Sequence, residues 1–367
     1  MNFNFNMPAR IICGEECVLN NEELFAIGKN AIIVTGAASA IKSGALDDVV
    51  SVLSNIGIDY IIYDKVRENP LLSTVYEAGQ IARAYGCDFV IGIGGGSPMD
   101  SAKAIAAFAA NPDISPDEIF DTSKLNKSLP IILIPTTSGT GSEANPYSIL
   151  TLDSEDKKKT FNSPYSYPTY AFLDYRYTTS MGKEGTLSCA LDAFCHCIES
   201  FLSPKSNEIS RMYALWGGKY IWKNFDSITE EKLTDKQREE LLYASFCGGM
   251  AINITGTGFP HPMGYNLTFE FNIPHGKACA VFTGKFIEYQ QKNTEGAKRL
   301  REFADYIGAD TDEIKNKIPM LSGVKEVLDK DTTEKFYSKI SSAGNFANAC
   351  YVIGKDEIFD IYGELFK

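Results

Sequence analysis

The chain has 367 residues, of which 44% are hydrophobic and 22% are charged. This is the composition of a folded globular protein, and the length suits two domains. Asp and Glu together number 47 against 35 Lys and Arg, which gives a net charge of −12. That charge argues against nucleic acid or an anionic membrane as the main partner.

The nine cysteines are scattered and odd in number, so they do not indicate a disulfide framework. The opening MNFNFNMPARIICG lacks the basic-then-apolar pattern of a secretion signal. Apolar runs such as AIAAFAA are shorter than the roughly 18 residues of a membrane span. We therefore expect a reduced, cytoplasmic protein.

The first half of the chain alternates predicted strands and helices. The predicted strands are NAIIVTG, IDYIIYDKV, CDFVIGIGGG and SLPIILIPTTSGTG, and the last two run into loops. Between them, helical patterns cover ALDDVVSVLSNIG, STVYEAGQIARAYG and MDSAKAIAAFAA. This alternation predicts an α/β fold whose parallel sheet has helices on its faces. The opening FNMPARIICGEECV predicts an added strand or hairpin.

After about residue 180 helical patterns replace the strand patterns. They cover TLSCALDAFCHCIESFL, SRMYALWGGKYIWKNF and KQREELLYASFCGGMAI, and they continue after His275. We therefore predict an α/β dinucleotide-binding domain over residues 1–180. An all-helical domain that binds metal and substrate is predicted over residues 181–367.

A glycine-rich loop follows the third predicted strand, with Gly94, Gly95, Gly96 and Ser97 before the next helix. Glycines let the backbone approach a phosphate closely, and a helix N-terminus offers free N–H groups and a positive dipole end. A pyrophosphate is the natural ligand, although the pattern is not G-x-G-x-x-G and a tight turn would also explain the glycines. Asp100, in the first helical turn, can cap the helix or hydrogen-bond a ribose or an amide.

A second loop, IPTTSGTGSEAN, follows the fourth predicted strand at the expected carboxyl edge of the same sheet. It is rich in hydroxyl donors. These are Thr136, Thr137, Ser138, Thr140 and Ser142. The two loops together favour nucleotide binding.

The chain contains three histidines, His196, His261 and His275. His196 follows Asp192 by four residues in a predicted helix, so both side chains share one face. His261 opens a second helical stretch, and His275 lies in an N-I-P-H-G turn before a third. One carboxylate oxygen and three imidazole nitrogens suit Zn²⁺ or Fe²⁺. The alternative is that each histidine is an ordinary core or surface residue.

Three further residues lie close to His196 in the sequence and could belong to the site. Glu199 falls near the same helix face one turn further on, where it can orient a ligand. Cys195 and Cys197 flank His196, but adjacent helical residues diverge by about 100° in direction. We therefore expect these two cysteines to be small packing residues and not ligands.

Several segments together resemble the iron-containing (group III) alcohol dehydrogenases of the dehydroquinate synthase-like superfamily. They are FNMPARIICGEECV, VTG with KSGAL, ENP at residues 68–70, GIGGGSPMDSAKAIA, IPTTSGTGSEAN, ALDAFCHCIES and the paired histidine segment that ends in IPHG. The matches run nearly end to end. The glycine loop, the Thr/Gly loop and D-x-x-x-H in this order are a strong signature of that family.

The resemblance implies an NAD(P)-dependent alcohol dehydrogenase that reduces aldehydes or ketones reversibly and binds Fe²⁺ or Zn²⁺. It assigns Asp192, His196, His261 and His275 as the metal ligands. It also implies a homodimer formed through the N-terminal strand. The residues that it places along the cofactor are Gly95, Gly96, Ser97, Asp100, Thr136, Thr137 and Thr140. Further candidate cofactor contacts are Gly36, Ser39, Lys42, Asn69 and Gly94. Lys158 or Lys159 fills the lysine position near the cofactor ribose.

Two departures from the family pattern lead to further expectations. Many members have an Asp where this chain has Gly36, and an acidic residue there would repel the 2′-phosphate of NADP. With Ser39 and Lys42 close in sequence, we expect NADP(H) to be preferred over NAD(H). Many members also have a histidine where this chain has Tyr265, whose phenol has a pKa near 10 and is a poor base but a usable donor. Tyr265 is therefore the candidate proton relay.

Two other functions compete with this one. The first is a metal- and NAD-dependent carbon–oxygen lyase of the dehydroquinate synthase type, although no basic set suited to a phosphorylated sugar acid surrounds the ligands. The second is a non-enzymatic nucleotide-binding or assembly protein, which leaves the four ligands unexplained. The expected substrate is a small alcohol or aldehyde, and Tyr147 and Tyr265 are candidates to line its pocket or to pack in the core.

Overall fold

The computed structural model describes residues 3–153 and 157–367. Within these residues the backbone contacts separate two compact units. The α/β unit comprises Asn4–Gly182 and Thr234–Phe246. The helical unit comprises Lys183–Leu233 and Cys247–Lys367, together with Phe3.

The α/β unit contains the strands of the described residues. They are β1 (Arg10–Cys13), β2 (Asn30–Gly36), β3 (Asp59–Val66), β4 (Phe89–Gly94), β5 (Ile131–Pro135), β6 (Tyr147–Leu152), β7 (Lys157–Asn162) and β8 (Tyr170–Leu173). Its helices are α1 (Ser39–Lys42), α2 (Ala45–Asn55), α3 (Leu72–Ala84) and α4 (Gly96–Ala110).

A six-stranded parallel sheet has the order β1-β8-β5-β4-β2-β3. The chain runs outward from β2 to β3, then returns to place β4 on the other side of β2 and continues to β5. The order therefore reverses between β2 and β4, and the crevice outside the carboxyl ends of two such strands is where open α/β sheets bind ligands. Gly36 ends β2 and Gly94 ends β4.

The central strands are buried on both faces, since every residue of β4 and of β5 is buried. Their unbroken apolar sequences are typical of a parallel sheet that helices cover on both sides. One core face packs β4 and β5 against α3 and α4, through residues such as Val90, Leu133 and Ile105. The opposite face packs Ile33, Ile91 and other residues against α2.

The opening segment forms a single strand and not a hairpin, because β1 pairs in parallel with β8 at the edge of the sheet. A short antiparallel pair, β6 with β7, lies outside the main sheet and was not expected from the sequence. The strand β8 was also not expected. The other predicted strands and helices of this half are confirmed to within a few residues.

The helical unit begins at α5, and α7 contributes its first half to the α/β unit and its second half to the helical unit. Its helices are α5 (Lys183–Leu202), α6 (Glu208–Thr229), α7 (Asp235–Thr255), α8 (Pro260–Phe271), α9 (His275–Ala280), α10 (Thr283–Gln291), α11 (Thr294–Ile307), α12 (Thr311–Ser322), α13 (Lys330–Ile340) and α14 (Lys355–Leu365). The predicted fold class, an α/β part followed by a helical part, is confirmed.

An aromatic cluster forms part of the core of the helical unit. The Phe194 ring lies 5.9 Å from Trp222, 5.8 Å from Phe225 and 5.9 Å from Phe303, measured between ring centroids. It anchors α5, the helix that supplies Asp192 and His196, against α6 and α11. Among the described helices, none combines the length and the apolar character that crossing a membrane requires.

Candidate metal centre and nucleotide loops

Helix α5 carries Asp192, His196 and Glu199 on one buried face. The three residues follow at intervals of four and three, which places their side chains above one another along a helix. Their exposed fractions are 4%, 5% and 1%, respectively. Three ionisable side chains with so little access to water need partners from other elements.

Glu199 provides the partner for the second histidine. Its carboxylate oxygens lie 3.0 and 2.8 Å from Nδ1 of His261, and Oε2 also accepts a 2.7 Å hydrogen bond from the Gly258 backbone N–H. A proton on Nδ1 leaves Nε2 of His261 as the atom with a free lone pair. Glu199 was expected to orient a ligand; the histidine that it contacts is His261, whose role as a ligand stays a prediction.

His275 is the first residue of α9. It was predicted to lie in the turn before a helix, and it instead begins that helix. The next residue, Gly276, lies directly against α5. A Cβ atom on Gly276 would stand 1.8 Å from the Ser188 carbonyl oxygen and 2.9 Å from Cβ of Asp192. Only glycine permits this approach, which brings His275 to the same place as Asp192.

The three imidazoles converge on one carboxylate oxygen. Oδ1 of Asp192 lies 3.7 Å from Nε2 of His196, 3.6 Å from Nε2 of His261 and 3.6 Å from Nε2 of His275. Burial opposes ionisation of Asp192, but His196, His275 and His261 outweigh it and hold the pKa of this carboxyl below its usual range. Asp192 is therefore an anion at neutral pH, as a metal ligand must be.

The arrangement fits a metal ion on two grounds. Among the described residues, Oδ1 of Asp192 and Nε2 of His261 are buried and have no hydrogen-bond partner. Two ligand atoms about 2.1 Å from one ion at tetrahedral angles would be about 3.4 Å apart, close to the separations observed here. Imidazole and carboxylate donors suit Fe²⁺ and Zn²⁺.

Cys279 also lies beside Asp192, His261 and His275, and the sequence did not predict this. The ligand atoms of Asp192, His261, His275 and Cys279 all lie within 4.8 Å of one another. Cys279 follows His275 by four residues on α9, so the H-x-x-x-C spacing was the available signal.

Cys195 and Cys197, which flank His196 in the sequence, are packing residues. Sγ of Cys195 is 3.4 Å from the hydroxyl of Thr283. Burial raises the pKa of both Cys195 and Cys197 well above the usual thiol value. A buried thiol that stays protonated is a packing residue and a poor ligand.

Tyr265 stacks on His275, with ring centroids 5.4 Å apart and ring planes 26° apart. The residue is partly buried in the body of α8. Tyr265 is thus in contact with one member of the histidine cluster, which is where a proton donor for the site is needed.

In the α/β unit, the glycine loop joins β4 directly to α4. Gly94 has a φ of +149°, a conformation that side chains rarely allow. A Cβ on Gly95 would contact Thr137 at 3.3 Å, and one on Gly96 would stand 2.9 Å from Thr140. The glycines therefore let the Thr/Gly loop pack onto the glycine loop at the N-terminus of α4. Ser97 is in the first turn of that helix.

The two loops are held together by a buried polar network centred on Lys103. Its ammonium group donates to the Ser142 carbonyl oxygen at 2.7 Å, to Oγ of Ser142 at 2.7 Å and to the Tyr147 carbonyl oxygen at 2.6 Å. Asp100 accepts a hydrogen bond of 2.6 Å from Oγ of Ser142 and one of 2.9 Å from the Ile149 N–H. Both oxygens of Asp100 therefore bind protein groups, and its contact with a cofactor stays a prediction.

The hydroxyl of Thr136 is buried and has no hydrogen-bond partner among the described residues. Thr136 follows β5 immediately, at the carboxyl edge of the sheet, and its N–H donates to the Gly94 carbonyl oxygen at 2.9 Å. A buried hydroxyl of this kind needs a partner, and a bound nucleotide can supply one. Ser138 is buried nearby in the same loop, and Thr140 is partly exposed.

The remaining predicted cofactor residues follow the ends of β2 and β3. Gly36 is partly exposed, and Ser39 and Lys42, in the short α1 after it, are exposed. Asn69 has a φ of +55°, which is unusual for a residue other than glycine. Its carbonyl oxygen accepts a hydrogen bond of 3.3 Å from Thr151.

The structure distinguishes the two lysines that the sequence left open. The ammonium group of Lys159 stands over the Phe120 ring, 4.2 Å from its centroid. Lys158 pairs with Thr151 across the β6–β7 ladder, and its charge lowers the pKa of Asp100, although burial raises that pKa overall. The charge of Lys158 therefore acts on Asp100 at the start of α4, and the choice of the lysine that contacts a cofactor stays a prediction.

Comparison with known proteins agrees with this architecture of a parallel sheet and a helical unit that carries the three histidines. Residues 8–175 match the family model for iron-containing alcohol dehydrogenase. Residues 186–337 match the model for the C-terminal part of the Fe-containing alcohol dehydrogenase family. The chain therefore belongs to the iron-containing alcohol dehydrogenase family, and it is an oxidoreductase of the alcohol dehydrogenase class.

Individual relatives support the same assignment. A 1,3-propanediol dehydrogenase from Citrobacter freundii is 30% identical over 315 residues, which cover 85% of this chain and 79% of that protein. A solved structure of an iron-containing alcohol dehydrogenase from Thermotoga maritima has a TM-score of 0.91 and 35% identity, and covers 100% of this chain and 99% of its own. Sulfoacetaldehyde reductase from Bifidobacterium kashiwanohense, solved with NAD⁺, has a TM-score of 0.89 and 27% identity at the same coverage. These matches do not favour the lyase alternative.

Proposed function

We propose that the chain is a metal-dependent, NAD(P)-linked alcohol dehydrogenase that reduces small aldehydes reversibly. The observation that carries the proposal is the convergence of three imidazole Nε2 atoms within 3.6 to 3.7 Å of one buried carboxylate oxygen. No hydrogen-bonding arrangement explains why one oxygen attracts three lone-pair-bearing nitrogens, whereas a shared cation does.

Asp192, His196, His261 and His275 are the proposed ligands of Fe²⁺ or Zn²⁺. The bound ion would supply Lewis-acid polarisation of the substrate oxygen. The chain's own contribution is to fix these side chains in place. Glu199 sets the tautomer and the ring orientation of His261, and Gly276 lets α9 bring His275 next to Asp192.

The nicotinamide dinucleotide is proposed to lie along the carboxyl edge of the sheet, and it would supply or accept the hydride. The glycine loop and α4 would hold its pyrophosphate through backbone N–H groups. Lys158 is the lysine proposed to reach the ribose, and Asn69 and Thr136 are further contacts. Gly36 removes the acidic group that would repel a 2′-phosphate, and Lys42 adds a positive charge. We therefore propose that NADP(H) is preferred over NAD(H).

Tyr265 is the proposed hydrogen-bond donor that returns a proton to the product oxygen. Its ring stacks on His275, so Tyr265 is held against one of the proposed metal ligands. We predict that Tyr265→Phe retains metal at the wild-type ratio but lowers kcat. Metal content and steady-state kinetics check this, and an unchanged kcat in the Phe variant would remove Tyr265 from the mechanism.

Several broader features belong to the same proposal. Residues 1–180 are proposed to bind the dinucleotide, and residues 181–367 the metal and the substrate. The substrate is a small alcohol or aldehyde, and the location is cytoplasmic.

The edge strand β1 pairs on one side only within the described chain, which supports a homodimer formed through this strand.

The test is an aldehyde panel run with NADPH and, separately, with NADH on protein of measured metal content. The proposal expects consumption of reduced cofactor in proportion to bound metal, and a higher kcat/KM with NADPH than with NADH. Asp192→Asn serves as the matched control because it removes the ligand charge while keeping the side-chain size. Full activity in metal-free protein, or in Asp192→Asn, would refute the metal-dependent mechanism.

A further inference from the structure

The loop between α7 and α8 forms part of the surroundings of His261. It consists of residues 256–259. The Gly258 N–H in this loop donates the 2.7 Å hydrogen bond to Oε2 of Glu199, and the same oxygen lies 2.8 Å from Nδ1 of His261. The position of the loop therefore helps to set the position of the Glu199 carboxylate and, through it, of the His261 ring.

Two asparagines from a segment much further along the chain bind this loop. Nδ2 of Asn345 donates a 2.8 Å hydrogen bond to Oγ1 of Thr257, and Nδ2 of Asn348 donates one of 3.1 Å to the Thr257 carbonyl oxygen. Gly256, with a φ of +69°, leaves room for the second amide, because a Cβ atom there would stand 3.0 Å from Nδ2 of Asn348. Asn348 is 6% exposed, so water competes little for its amide group.

The segment that carries the two asparagines, residues 345–351, is itself anchored to the helices of the unit. The side chain of Gln290, on α10, is fully buried and exchanges two hydrogen bonds with the backbone of Tyr351. It accepts from the Tyr351 N–H at 2.9 Å and donates to the Tyr351 carbonyl oxygen at 3.1 Å. Sγ of Cys350 donates to the Leu202 carbonyl oxygen, at the end of α5, at 3.1 Å. The asparagines thus extend from a fixed base to the loop.

We propose that Asn345 and Asn348 are positioning residues of the metal centre. Their hydrogen bonds to Thr257 fix the loop, the loop N–H fixes Glu199, and Glu199 fixes the tautomer and the orientation of His261. This inference rests on the proposed function, because it assumes that His261 binds a metal. Loss of either asparagine contact frees the loop, and the affinity for metal falls although every ligand is still present.

The affinity for Zn²⁺ tests the proposal, because this ion has no redox chemistry and its dissociation constant can be measured by competition with a chromophoric chelator. Asn348→Ala removes the donor to the loop backbone, and Thr257→Val removes the hydroxyl that Asn345 binds. Each should raise the Kd for Zn²⁺ by about 10-fold, the lower end of the effect of outer partners of metal ligands. Thr257→Ser keeps the hydroxyl and should keep the wild-type Kd. The Thr257 pair also preserves the test if Asn348→Ala folds poorly.

Asn111→Ala is the matched control for general loss of stability. Asn111 is a buried asparagine of the α/β unit whose amide donates to the Ala107 and Lys127 carbonyl oxygens at 2.7 and 2.9 Å. Its loss should lower the melting temperature and leave the Kd for Zn²⁺ unchanged.

A double-mutant cycle with Glu199→Gln tests the route from the asparagines to His261. Asn348→Ala should add little to the Kd of Glu199→Gln, because both substitutions interrupt the same chain of contacts. A wild-type Kd in both Asn348→Ala and Thr257→Val, an equal rise in Asn111→Ala, or a full 10-fold rise on top of Glu199→Gln would overturn the inference and leave the proposed function intact. Failure of the wild type to bind Zn²⁺ would instead refute the proposed function.

Discussion

Glu143 has a buried carboxyl group at the end of the Thr/Gly loop. The residue is 1% exposed, and neither carboxyl oxygen has a hydrogen-bond partner among the described residues. Burial raises the pKa of Glu143 to about 7, although Lys103 acts in the opposite direction. Burial likewise lowers the pKa of Lys103 to about 8. The folded α/β unit therefore holds a glutamic acid that is largely protonated below neutral pH.

This raised pKa makes the stability of the protein depend on pH. The folded state keeps the Glu143 proton up to a pH near 7, whereas an unfolded chain releases it near the usual pKa of 4.5. The stabilisation is thus fully present below pH 4.5 and is lost as the pH rises towards 7. We predict that Glu143→Gln, which stays neutral, matches the wild type at about pH 4.5 and is more stable than it at pH 7.5. The difference at the higher pH should be on the order of 1 to 3 kcal/mol.

Thermal denaturation of the wild type and Glu143→Gln at the two pH values checks the prediction. Glu77→Gln is the matched control, because Glu77 is exposed on α3 and removes the same charge without burial. The pKa of Lys103 in the folded protein is about 8, so at pH 7.5 this lysine is still mostly protonated. Its loss of a proton at higher pH would change the stability in the opposite direction to the ionisation of Glu143. An equal effect of both substitutions, or destabilisation by Glu143→Gln at pH 7.5, would contradict the assignment.

Single residues of the proposed metal site differed in how well the sequence predicted them. Asp192 and His196 share a helix face, and helical spacing is local information that a sequence carries. The contact of Glu199 with His261 spans 62 positions, so only the fold could assign that partner. The place of Cys279 among the donors likewise depends on the approach of α9 to α5, and spacing alone made it only a neighbour of His275.

Helix α9 approaches α5 more closely than helices with ordinary side chains can. A Cβ on Gly276 would overlap the Ser188 carbonyl oxygen, and one on Gly264 of α8 would stand 2.8 Å from the Ala278 carbonyl oxygen of α9. Two glycines thus set the positions of the three helices that carry the proposed ligands. Backbone contacts of this kind cannot relax by rotation of a side chain, so an added methyl group must move a helix.

We predict that Gly276→Ala displaces α9 from α5, weakens metal binding and lowers stability by about 1 to 3 kcal/mol or more. Metal retained after dialysis and thermal denaturation measure the two effects. Gly344→Ala is the matched control, because a Cβ there meets no atom within 4 Å and its φ is not positive. Wild-type metal content and melting temperature in Gly276→Ala would mean that the two helices are not held as closely as described.

The elements that the sequence predicted well are those whose pattern is local and long. The apolar strand β2 and the 15-residue α4 belong to this class. The strands β7 and β8 do not, because β7 opens with three lysines and β8 has only four residues. Lysine is uncommon in strands, so β7 exists through its pairing with β6 and not through its own propensity.

At the scale of the whole molecule, the proposed metal and the proposed dinucleotide are bound by different compact units. The proposed metal ligands are all in the helical unit, and the glycine and Thr/Gly loops are in the α/β unit. Each unit has its own buried core, which includes the sheet faces in one and the Phe194 cluster in the other. Ligand binding should therefore stabilise the units separately, since a ligand that binds only the folded form shifts its unfolding equilibrium.

Removal of the metal tests this independence. A metal present at 100 times its dissociation constant stabilises the folded form by about 2.7 kcal/mol. We predict that chelation speeds hydrogen exchange in peptides from α5, α8 and α9 and leaves peptides from β2, β4 and β5 unchanged, because local opening follows the stability of each unit. Hydrogen exchange with mass spectrometry, before and after chelation, gives the measurement. Asp192→Asn should show the fast helical exchange even without chelator, and equal acceleration in both units would mean that they unfold together.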